Sequence, residues 1–563
     1  MANTMKNIEF NAASYSEWQD AAVKALKGKP FESLFTKTAE GITLEPLYTQ
    51  QMLIDRLGEQ LEKQVATVRA NKFSNDFTVA QQVYGDTAES FIENLKDSLA
   101  RGNEALTIDS RVNFIWDEAV LVQIADYLTE YSFKLIVQGQ DDALLKAFDY
   151  IADDKASQVE GFIISTETVT LSKFGKVRTY CANAVTVHNA GATAVQELAY
   201  VLASAAKYAN EEQDFDTFAS KFFVNFAIDT QFFMEVAKVR AMKVLWQAFT
   251  AAYGANGAVP VVAETSVRSF SKYDVYVNLL RAGNEALSGA IGGVDFFTVH
   301  PHDVLSKPTE QSIRIARNVQ LVLKEETHVL KVQDPAGGSY FVEDLTAALV
   351  KDAWAYFLQI EEAGGLDAFA AQFDADVQAA YEARVKATQS RKQSLIGTNI
   401  YANPQDEVAQ EENGQFADVQ RIAIPFETLR AEAVASNVKA AVVSFGELKK
   451  VKPRADFVSG ILNTVGIVPE KTAPFATVQE VQAYLSQTDA SYIIIAATDD
   501  DVKEHIAAIL TAKKDGQVVD VAGRFKEDEA AFAQAGVDGY VFAGQNIIEK
   551  VQGVLATTKE VQR

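Results

Sequence analysis

The sequence contains almost no cysteine. Cys181 is the single cysteine among 563 residues, so a disulfide framework is excluded and a thiolate-ligated metal cluster lacks ligands. Its apolar flanks favour the role of a small buried side chain. These features are typical of a cytoplasmic protein.

Long apolar runs are also missing. The longest, such as residues 492–497, have the length of a buried strand and fall short of the roughly 18 residues that a membrane span needs. No apolar segment follows residues 1–6, so we expect no secretory signal. The sequence therefore predicts neither a membrane anchor nor export.

Basic residues are scarce relative to acidic ones. The chain has 52 Lys and Arg against 76 Asp and Glu, a formal net charge of −24. Such a field repels nucleic acid and anionic membrane surfaces. No cluster of Lys and Arg with interleaved aromatic residues offsets it, so we expect neither partner.

A chain of this length exceeds what one hydrophobic core usually organises, so two or more domains are expected. Residues 1–37 are predicted to form an N-terminal arm with one helix. Ser16 and Gln19 fit a capping box, a stripe of 3.6-residue period begins at Trp18, and Gly28 ends the helix. Such an arm buries its stripe either on its own chain or on a neighbour.

From residue 38 to 360, strand-like and helix-like runs alternate. The predicted strands are 105–108, 134–138, 162–165, 185–187, 259–263 and 294–299, and the predicted helices are 195–207, 232–252, 276–287 and 311–324. This alternation is typical of a parallel sheet and favours a (β/α)₈ barrel of the TIM type. Fewer than eight strands are identified, so closure of the barrel is an inference.

Residues 361–434 have few strand signals and are predicted to form a helical linker. Residues 435–563 then show five strand-and-helix steps, which indicates a flavodoxin-like, doubly wound domain. Ligands in that fold bind beyond the carboxyl ends of the strands, so the loop after Phe445 is the place to look for a function.

Several segments resemble the methylmalonyl-CoA mutase family of acyl-CoA mutases. TAEGITLEPLYT at 38–49 resembles the opening of the mutase barrel, and DPAGGSY at 334–340 is the clearest match. Further matches occur at 232–240, 264–266, 278–281, 317–320, 396–399 and 425–430. The resemblance covers nearly the whole chain in order.

The resemblance implies a barrel that threads acyl-CoA along its axis and a C-terminal domain of the cobalamin-binding type. Catalytic chains carry Asp-x-His-x-x-Gly after the first strand of that domain, and the His ligates cobalt while the Asp holds its imidazole. Here the stretch contains Gly446, Glu447, Leu448, Lys449 and Lys450, with no His or Asp. The next histidine, His505, is expected on a later helix, far from the cobalt position.

A second family site also differs. Catalytic chains have a Tyr-His pair shortly before Ala-Gly-Ala, near the reacting acyl group and its thioester carbonyl. Aligning on residues 190–192 places Val185 and Thr186 at those positions. His188 lies two residues later, a spacing that resembles the small subunits of the family.

The resemblance therefore implies a small, non-catalytic subunit of a heterodimeric, adenosylcobalamin-dependent mutase, an isomerase only as part of the complex. A homologous large subunit would bind the cofactor and interconvert succinyl-CoA and (R)-methylmalonyl-CoA, while this chain alone would bind no cofactor and be inactive. The alternatives are a subunit for another branched acyl-CoA, an independent barrel enzyme with a nucleotide-type domain, and a scaffold protein without a catalytic partner.

Three other patterns invite functional interpretations. His300 and His302 flank a proline and are better explained as a strand end than as metal ligands. Glu325 and His328 lack the second Glu-x-x-His of a di-iron site, so His328 is interpreted as a helix-end residue. The glycine pair at 337–338 predicts a tight turn into a strand at 340–342. We predict no metal site.

Overall fold

The computed structural model describes residues 13–72, 75–212, 214–408 and 411–561. The protein has a mixed α/β structure in which two sheets before residue 300 and one sheet after residue 435 are entirely parallel. A two-residue antiparallel hairpin near the N-terminus completes the set of described sheets.

The strands are numbered in chain order. They are β1 Thr36–Lys37, β2 Thr43–Leu44, β3 Thr78–Val79, β4 Ala105–Asp109, β5 Ser132–Ile136, β6 Gly161–Ile164, β7 Val177–Arg178, β8 Tyr180–Asn183, β9 Phe222–Ile228, β10 Val261–Thr265, β11 Phe296–Thr298, β12 Ala440–Ser444, β13 Glu470–Lys471, β14 Tyr492–Ala496, β15 Val518–Ala522 and β16 Gly539–Val541.

The α-helices are numbered in the same way. They are α1 Tyr15–Ala25, α2 Gln50–Leu57, α3 Glu59–Ala70, α4 Ala88–Ala100, α5 Glu118–Glu130, α6 Ala184–Ala190, α7 Ala194–Glu212, α8 Phe215–Lys221, α9 Phe232–Ala252, α10 Val275–Gly292, α11 Glu310–Glu325, α12 Tyr340–Glu362, α13 Leu366–Gln389, α14 Ile424–Ser436, α15 Leu448–Thr464, α16 Val478–Gln487, α17 Asp499–Ile509, α18 Glu529–Gln534 and α19 Ile547–Val561. No helix in the described ranges is long and apolar enough to cross a membrane.

The N-cap of helix α1 is Ser14, two residues before the predicted N-cap Ser16. Ser14 accepts a hydrogen bond from the Glu17 N–H, and the Glu17 carboxylate accepts one from the Ser14 N–H at 2.8 Å. This pair satisfies two free N–H groups of the first turn, so Ser16 and Gln19 are left inside the helix and the prediction was wrong. No residue of α1 is buried.

The two N-terminal sheets are joined at both ends. Their strand orders are β3-β11-β10-β9-β8 and β4-β5-β6-β7. A parallel bridge pairs Gln82, just after β3, with Thr107 of β4. At the other end, β7 and β8 are consecutive in the chain and separated only by Thr179, so β6 and β9 pair with successive parts of one extended segment.

Most of the individual strands and helices predicted for this region are confirmed. Helix α9 has the predicted bounds, but strands β3, β7, β8 and the fully buried β9 were not predicted. Residues 185–187 were predicted as a strand and lie instead in α6, because the ladder to β9 ends at Asn183. Residues 340–342 open helix α12, whose N-cap is Ser339, and do not form a strand.

The C-terminal sheet has the order β13-β12-β14-β15-β16, with apolar clusters on both faces. Val458 and Leu462 of α15 pack on one face, and Val481 and Ile506 pack on the other. A loop was expected after Phe445, but helix α15 starts at Leu448, directly after the N-cap Glu447.

Candidate functional site

A buried polar network lies just beyond the carboxyl ends of β8, β9 and β10. His188 on α6 is completely buried, and its Nδ1 lies 2.7 Å from Glu197 Oε1 while its Nε2 lies 2.8 Å from Ser266 Oγ. Because a carboxylate only accepts, the imidazole donates from Nδ1 to Glu197. In a neutral ring, Nε2 then accepts a hydrogen bond from the Ser266 hydroxyl.

Electrostatics agree with a neutral imidazole. Burial lowers the pKa of His188 to about 4, the positive charge of Arg268 adds to this lowering, and Glu197 opposes it. Burial would raise the pKa of Glu197, but Lys238 and His188 lower it to about 2. The network therefore holds a neutral histidine beside an ionised glutamate.

Lys238 balances the charge of two buried carboxylates, Glu197 and Glu235. Lys238 Nζ lies 2.7 Å from Glu197 and 2.6 Å from Glu235, and it donates to the carbonyl of Ala227. Burial raises the pKa of Glu235 to about 7, although Lys238 acts against this shift. A lysine with three acceptors and no exposure is held rigidly in place.

Arg268 ties the network to the backbone. It pairs with Asp229 at 2.6 Å and donates to the carbonyls of His188 and Ala192. Burial would raise the pKa of Asp229, but Arg268 and His188 hold it far below the usual range. Asp229 also accepts from the Ser269 hydroxyl at 2.8 Å. These contacts fix the loops that follow β8, β9 and β10.

Ser266, His188 and Glu197 have the connectivity of a hydrolase triad. The Ser266 side chain is buried, however, and its oxygen also accepts from the Arg268 N–H at 3.1 Å. Glu197 is already paired with Lys238. A nucleophile must reach its substrate, and this hydroxyl is enclosed, so the trio is structural.

The two positions aligned with the family Tyr-His pair lie on α6, beside this network. Val185 is half-buried and Thr186 is exposed, and the Thr186 hydroxyl donates to the carbonyl of Asn183 at 2.8 Å. Neither side chain carries a group that could act as an acid or base. The histidine of this segment, His188, points into the protein.

Phenylalanines fill the space between the two N-terminal sheets. The rings of Phe162 and Phe223 lie 5.0 Å apart, and those of Phe162 and Phe296 lie 5.4 Å apart. Phe223 and Phe296 are buried, and they share one apolar cluster with Cys181 and Val262. We call Phe162, Phe223 and Phe296 the phenylalanine cluster. It joins β6, β9 and β11 across the interior.

A buried ion pair lies in the same interior. Lys134 Nζ is 3.2 Å and His300 Nε2 is 3.3 Å from the Glu264 carboxylate. Burial would raise the pKa of Glu264, but Lys134 and the hydrogen bond from His300 lower it to about 2. His300 follows β11, as expected of a strand end. Among the described residues, no group of three or more His, Cys, Asp or Glu side chains could hold a metal ion.

The C-terminal sheet offers no cobalt ligand at the position that the sequence singled out. Gly446 is half-buried, and Glu447, Leu448, Lys449 and Lys450 are exposed. Lys450 pairs with Glu447 at 3.0 Å across the first turn of α15. No residue of this stretch can ligate cobalt through an imidazole, so these residues do not fit the family's cofactor.

The crevice at the carboxyl edge of this sheet is occupied by the chain itself. Arg454 of α15 donates to the carbonyl of Ala497 at 2.7 Å and to that of Ala522 at 3.2 Å, and it pairs with Asp499 at 2.6 Å. Its guanidinium therefore spans the ends of β14 and β15, next to the switch point between β12 and β14 at which ligands of doubly wound sheets bind. A ligand that extended from the switch point over β14 and β15 would have to displace this arginine.

His505 lies closer to the first strand of this sheet than the sequence suggested. Its ring lies edge-on to that of Phe445, with the centroids 5.4 Å apart. Phe445 and Ile506 belong to the apolar cluster on the sheet face opposite α15. His505 is thus near Phe445 but on the other side of the sheet from the helix that carries residues 448–450.

Comparison with known proteins places these observations in a family. A sequence profile described as methylmalonyl-CoA mutase matches residues 156–490, more than half of the chain. The chain belongs to the methylmalonyl-CoA mutase family. The family as a whole has isomerase activity and uses adenosylcobalamin.

Two relatives that match over nearly their whole length are named small subunits of the mutase. The chain is 29% identical to the methylmalonyl-CoA mutase small subunit of Porphyromonas gingivalis, with 97% of each chain covered. It is 26% identical to the small subunit of Propionibacterium freudenreichii subsp. shermanii, with 97% of this chain and 95% of the relative covered. The methylmalonyl-CoA mutase of Cereibacter sphaeroides is 28% identical over 72% of this chain and 66% of its own length.

The side chains that form the buried polar network around His188 were not identified from the sequence. Glu197, Lys238 and Asp229 were not singled out, although buried charge can be suspected where Glu235 and Lys238 interrupt the apolar α9. The contacts of Arg454 were likewise not predicted, because a loop was expected after Phe445. Both omissions concern contacts between residues distant in sequence.

Proposed function

We propose that this chain is the small, non-catalytic subunit of a heterodimeric methylmalonyl-CoA mutase. In this proposal a homologous large subunit binds adenosylcobalamin and acyl-CoA and interconverts succinyl-CoA and (R)-methylmalonyl-CoA. The chain itself would hold neither cofactor nor substrate, and would act in the cytoplasm without membrane or nucleic-acid partners. Its contribution would be to support the large subunit's fold.

The architecture proposed is a (β/α)₈ barrel over residues 38–360, preceded by an arm at 1–37 and followed by a helical linker at 361–434. The bridge between Gln82 and Thr107, together with the continuity of β7 and β8, supports a closed ring of parallel strands. For residues 435–563 we propose a flavodoxin-like domain. Its strand order, second-first-third-fourth-fifth in chain order, supports this.

The phenylalanine cluster carries the proposal. The rings of Phe162, Phe223 and Phe296 pack together between the two N-terminal sheets, and in the proposed barrel they would block the path along which a catalytic chain threads acyl-CoA. The interior is close-packed there, and opening it would expose buried aromatic surface. Val185 and Thr186 supply no acid or base, and Arg454 covers the ends of β14 and β15 beside the switch point of the second sheet. All three features argue against catalysis by this chain.

Reconstitution tests the proposal. The isolated chain, an isolated homologous large subunit and their one-to-one mixture are assayed for conversion of (R)-methylmalonyl-CoA to succinyl-CoA. Turnover is expected in the mixture and none from this chain. Turnover by this chain alone, or a dissociation constant for adenosylcobalamin below about 10 μM by calorimetry, would contradict the proposal. Full activity of the large chain alone, unchanged by the mixture, would also contradict it.

A further inference from the structure

A cleft of about 500 Å³ lies between helices α4 and α11, next to the end of β3. Three arginines line it, namely Arg101 on α4 and Arg314 and Arg317 on α11. This grouping is unexpected in a chain with a net charge of −24. Like charges repel, so their convergence costs free energy unless an anion compensates it.

Arg317 is the buried member of the group. It is 4% exposed, and its Nε has no hydrogen-bond acceptor among the described residues. Burial lowers the pKa of Arg317; Asp97 opposes this lowering, while Arg101 and Arg314 reinforce it. Ser98, 6% exposed and also lining the cleft, has a hydroxyl without a partner among those residues. Unmet buried donors of this kind require an explanation.

Among the described residues, the carboxylates of the cleft pair with Arg101 but form no ion pair with Arg314 or Arg317. Asp97 pairs at 2.5 Å with Arg101, one turn along α4. Glu310 lies exposed at the start of α11. Within the described ranges, Arg314 makes no ion pair and is exposed at the cleft. Arg314 and Arg317, one turn apart on α11, therefore line the same cleft. The Asp97 carboxylate in that cleft is already paired with Arg101.

We propose that this cleft binds the phosphate or diphosphate group of a small molecule through Arg314, Arg317 and Ser98. Guanidinium groups bind phosphate oxygens by paired N–H donors, and a serine hydroxyl supplies another donor. The volume lies within the range of about 300–1,000 Å³ found for small-molecule sites. The cleft shares no residue with the buried network or the phenylalanine cluster, so this site is separate from the mutase chemistry.

Binding of sodium pyrophosphate to the full-length chain, measured by isothermal calorimetry at low salt, tests the proposal. The wild type is expected to bind with a dissociation constant below about 1 mM. Arg314→Gln, at an exposed position where folding is preserved, is expected to weaken binding at least about tenfold, the effect of losing a charged hydrogen-bond donor. Arg524→Gln is the matched control, an exposed arginine in the loop after β15, and is expected to bind as the wild type does.

A second measurement separates the sources of the phosphate. Tripolyphosphate, ATP and coenzyme A are titrated in turn, each with and without excess pyrophosphate. If ATP or coenzyme A competes with pyrophosphate and has a lower dissociation constant than tripolyphosphate, the ligand carries a nucleotide. If the dissociation constants are equal, the site recognises the inorganic anion. No binding of pyrophosphate to the wild type, or equal binding by wild type and Arg314→Gln, would overturn the proposal.

Discussion

At the scale of single residues, His188 shows how one side chain is given its role by its surroundings. Its two ring nitrogens contact Glu197 and Ser266, and it has no exposure to solvent. The positive charge of Arg268 and the loss of hydration both disfavour the imidazolium form. His188 is thereby held as a neutral structural group.

The pKa of His188 predicts acid sensitivity. Its folded-state pKa, about 4, lies below the unfolded value of 6.5, so the folded state resists protonation. The stability contributed by the neutral ring is present above pH 6.5 and is lost as the pH falls towards 4. We expect His188→Gln to abolish this loss, which amounts to about 3 kcal/mol in the wild type.

Urea unfolding between pH 4 and 7 measures the difference between wild type and His188→Gln. The comparison is needed because Glu235, with a pKa raised to about 7, acts in the opposite sense and stabilises the fold as the pH falls. His505→Gln, at a half-buried surface position, serves as the control and should keep the wild-type profile. Parallel profiles for wild type and His188→Gln would refute this account.

At the scale of elements, α15 packs on one face of the second sheet. Val451, Val458 and Leu462 are buried, the last two within the apolar cluster that this helix shares with the sheet. Arg454 from the same helix covers the ends of β14 and β15. A helix that packs directly on the strands leaves no gap for a long ligand tail.

We therefore predict that restoring the cobalt-binding loop does not restore binding. Replacing the residues around Lys449 with Asp-x-His-x-x-Gly supplies an imidazole, but the space behind it stays filled. The variant is titrated with hydroxocobalamin up to about 10 μM, a concentration that detects complexes with a dissociation constant of that size or smaller. The absorbance spectrum of histidine-ligated cobalamin should not appear. Lys449→Ala controls for the stability of α15 by circular dichroism. A ligated spectrum in the graft would show that the sheet can still accommodate the cofactor.

At the scale of the whole molecule, two sets of apolar cores are separated along the chain. Phe223 lies in the interior of the N-terminal sheets, and Ile494 lies in the C-terminal sheet. Polar contacts between the two regions include Arg391 to the carbonyl of Gly460 at 2.9 Å and Asn546 to Gln389 at 3.0 Å. Separate cores with such contacts between them favour separate unfolding.

Calorimetry should accordingly show two thermal transitions. Phe223→Ala is expected to destabilise one transition by about 3–5 kcal/mol, and Ile494→Ala the other by about 2–5 kcal/mol, through lost burial and a residual cavity. Phe233→Ala, at a 50% exposed position, is the control and should change neither by more than about 0.5 kcal/mol. A single transition that both core variants shift together would contradict the division into two domains.

Local sequence patterns determined much of the secondary structure and the family. The 3.6-residue period gave α9 its bounds, and short β-branched runs identified β4, β10 and β14 to within a few residues. Motifs such as DPAGGSY pointed to the mutases from the amino-acid sequence alone. These signals are local, because hydrophobic periodicity and turn residues act within one element.

Only the tertiary structure decided the contents of the interior. Residues 185–187 have strand-forming side chains, yet they form a helix because the ladder to β9 ends at Asn183. Phe162, Phe223 and Phe296 pack together although about 60 to 130 positions separate them. Arg317 and Ser98 line one cleft although they lie on helices far apart in the sequence. A sequence pattern reports which face of an element is apolar, but which side chains share a space depends on how the sheets close and the helices pack.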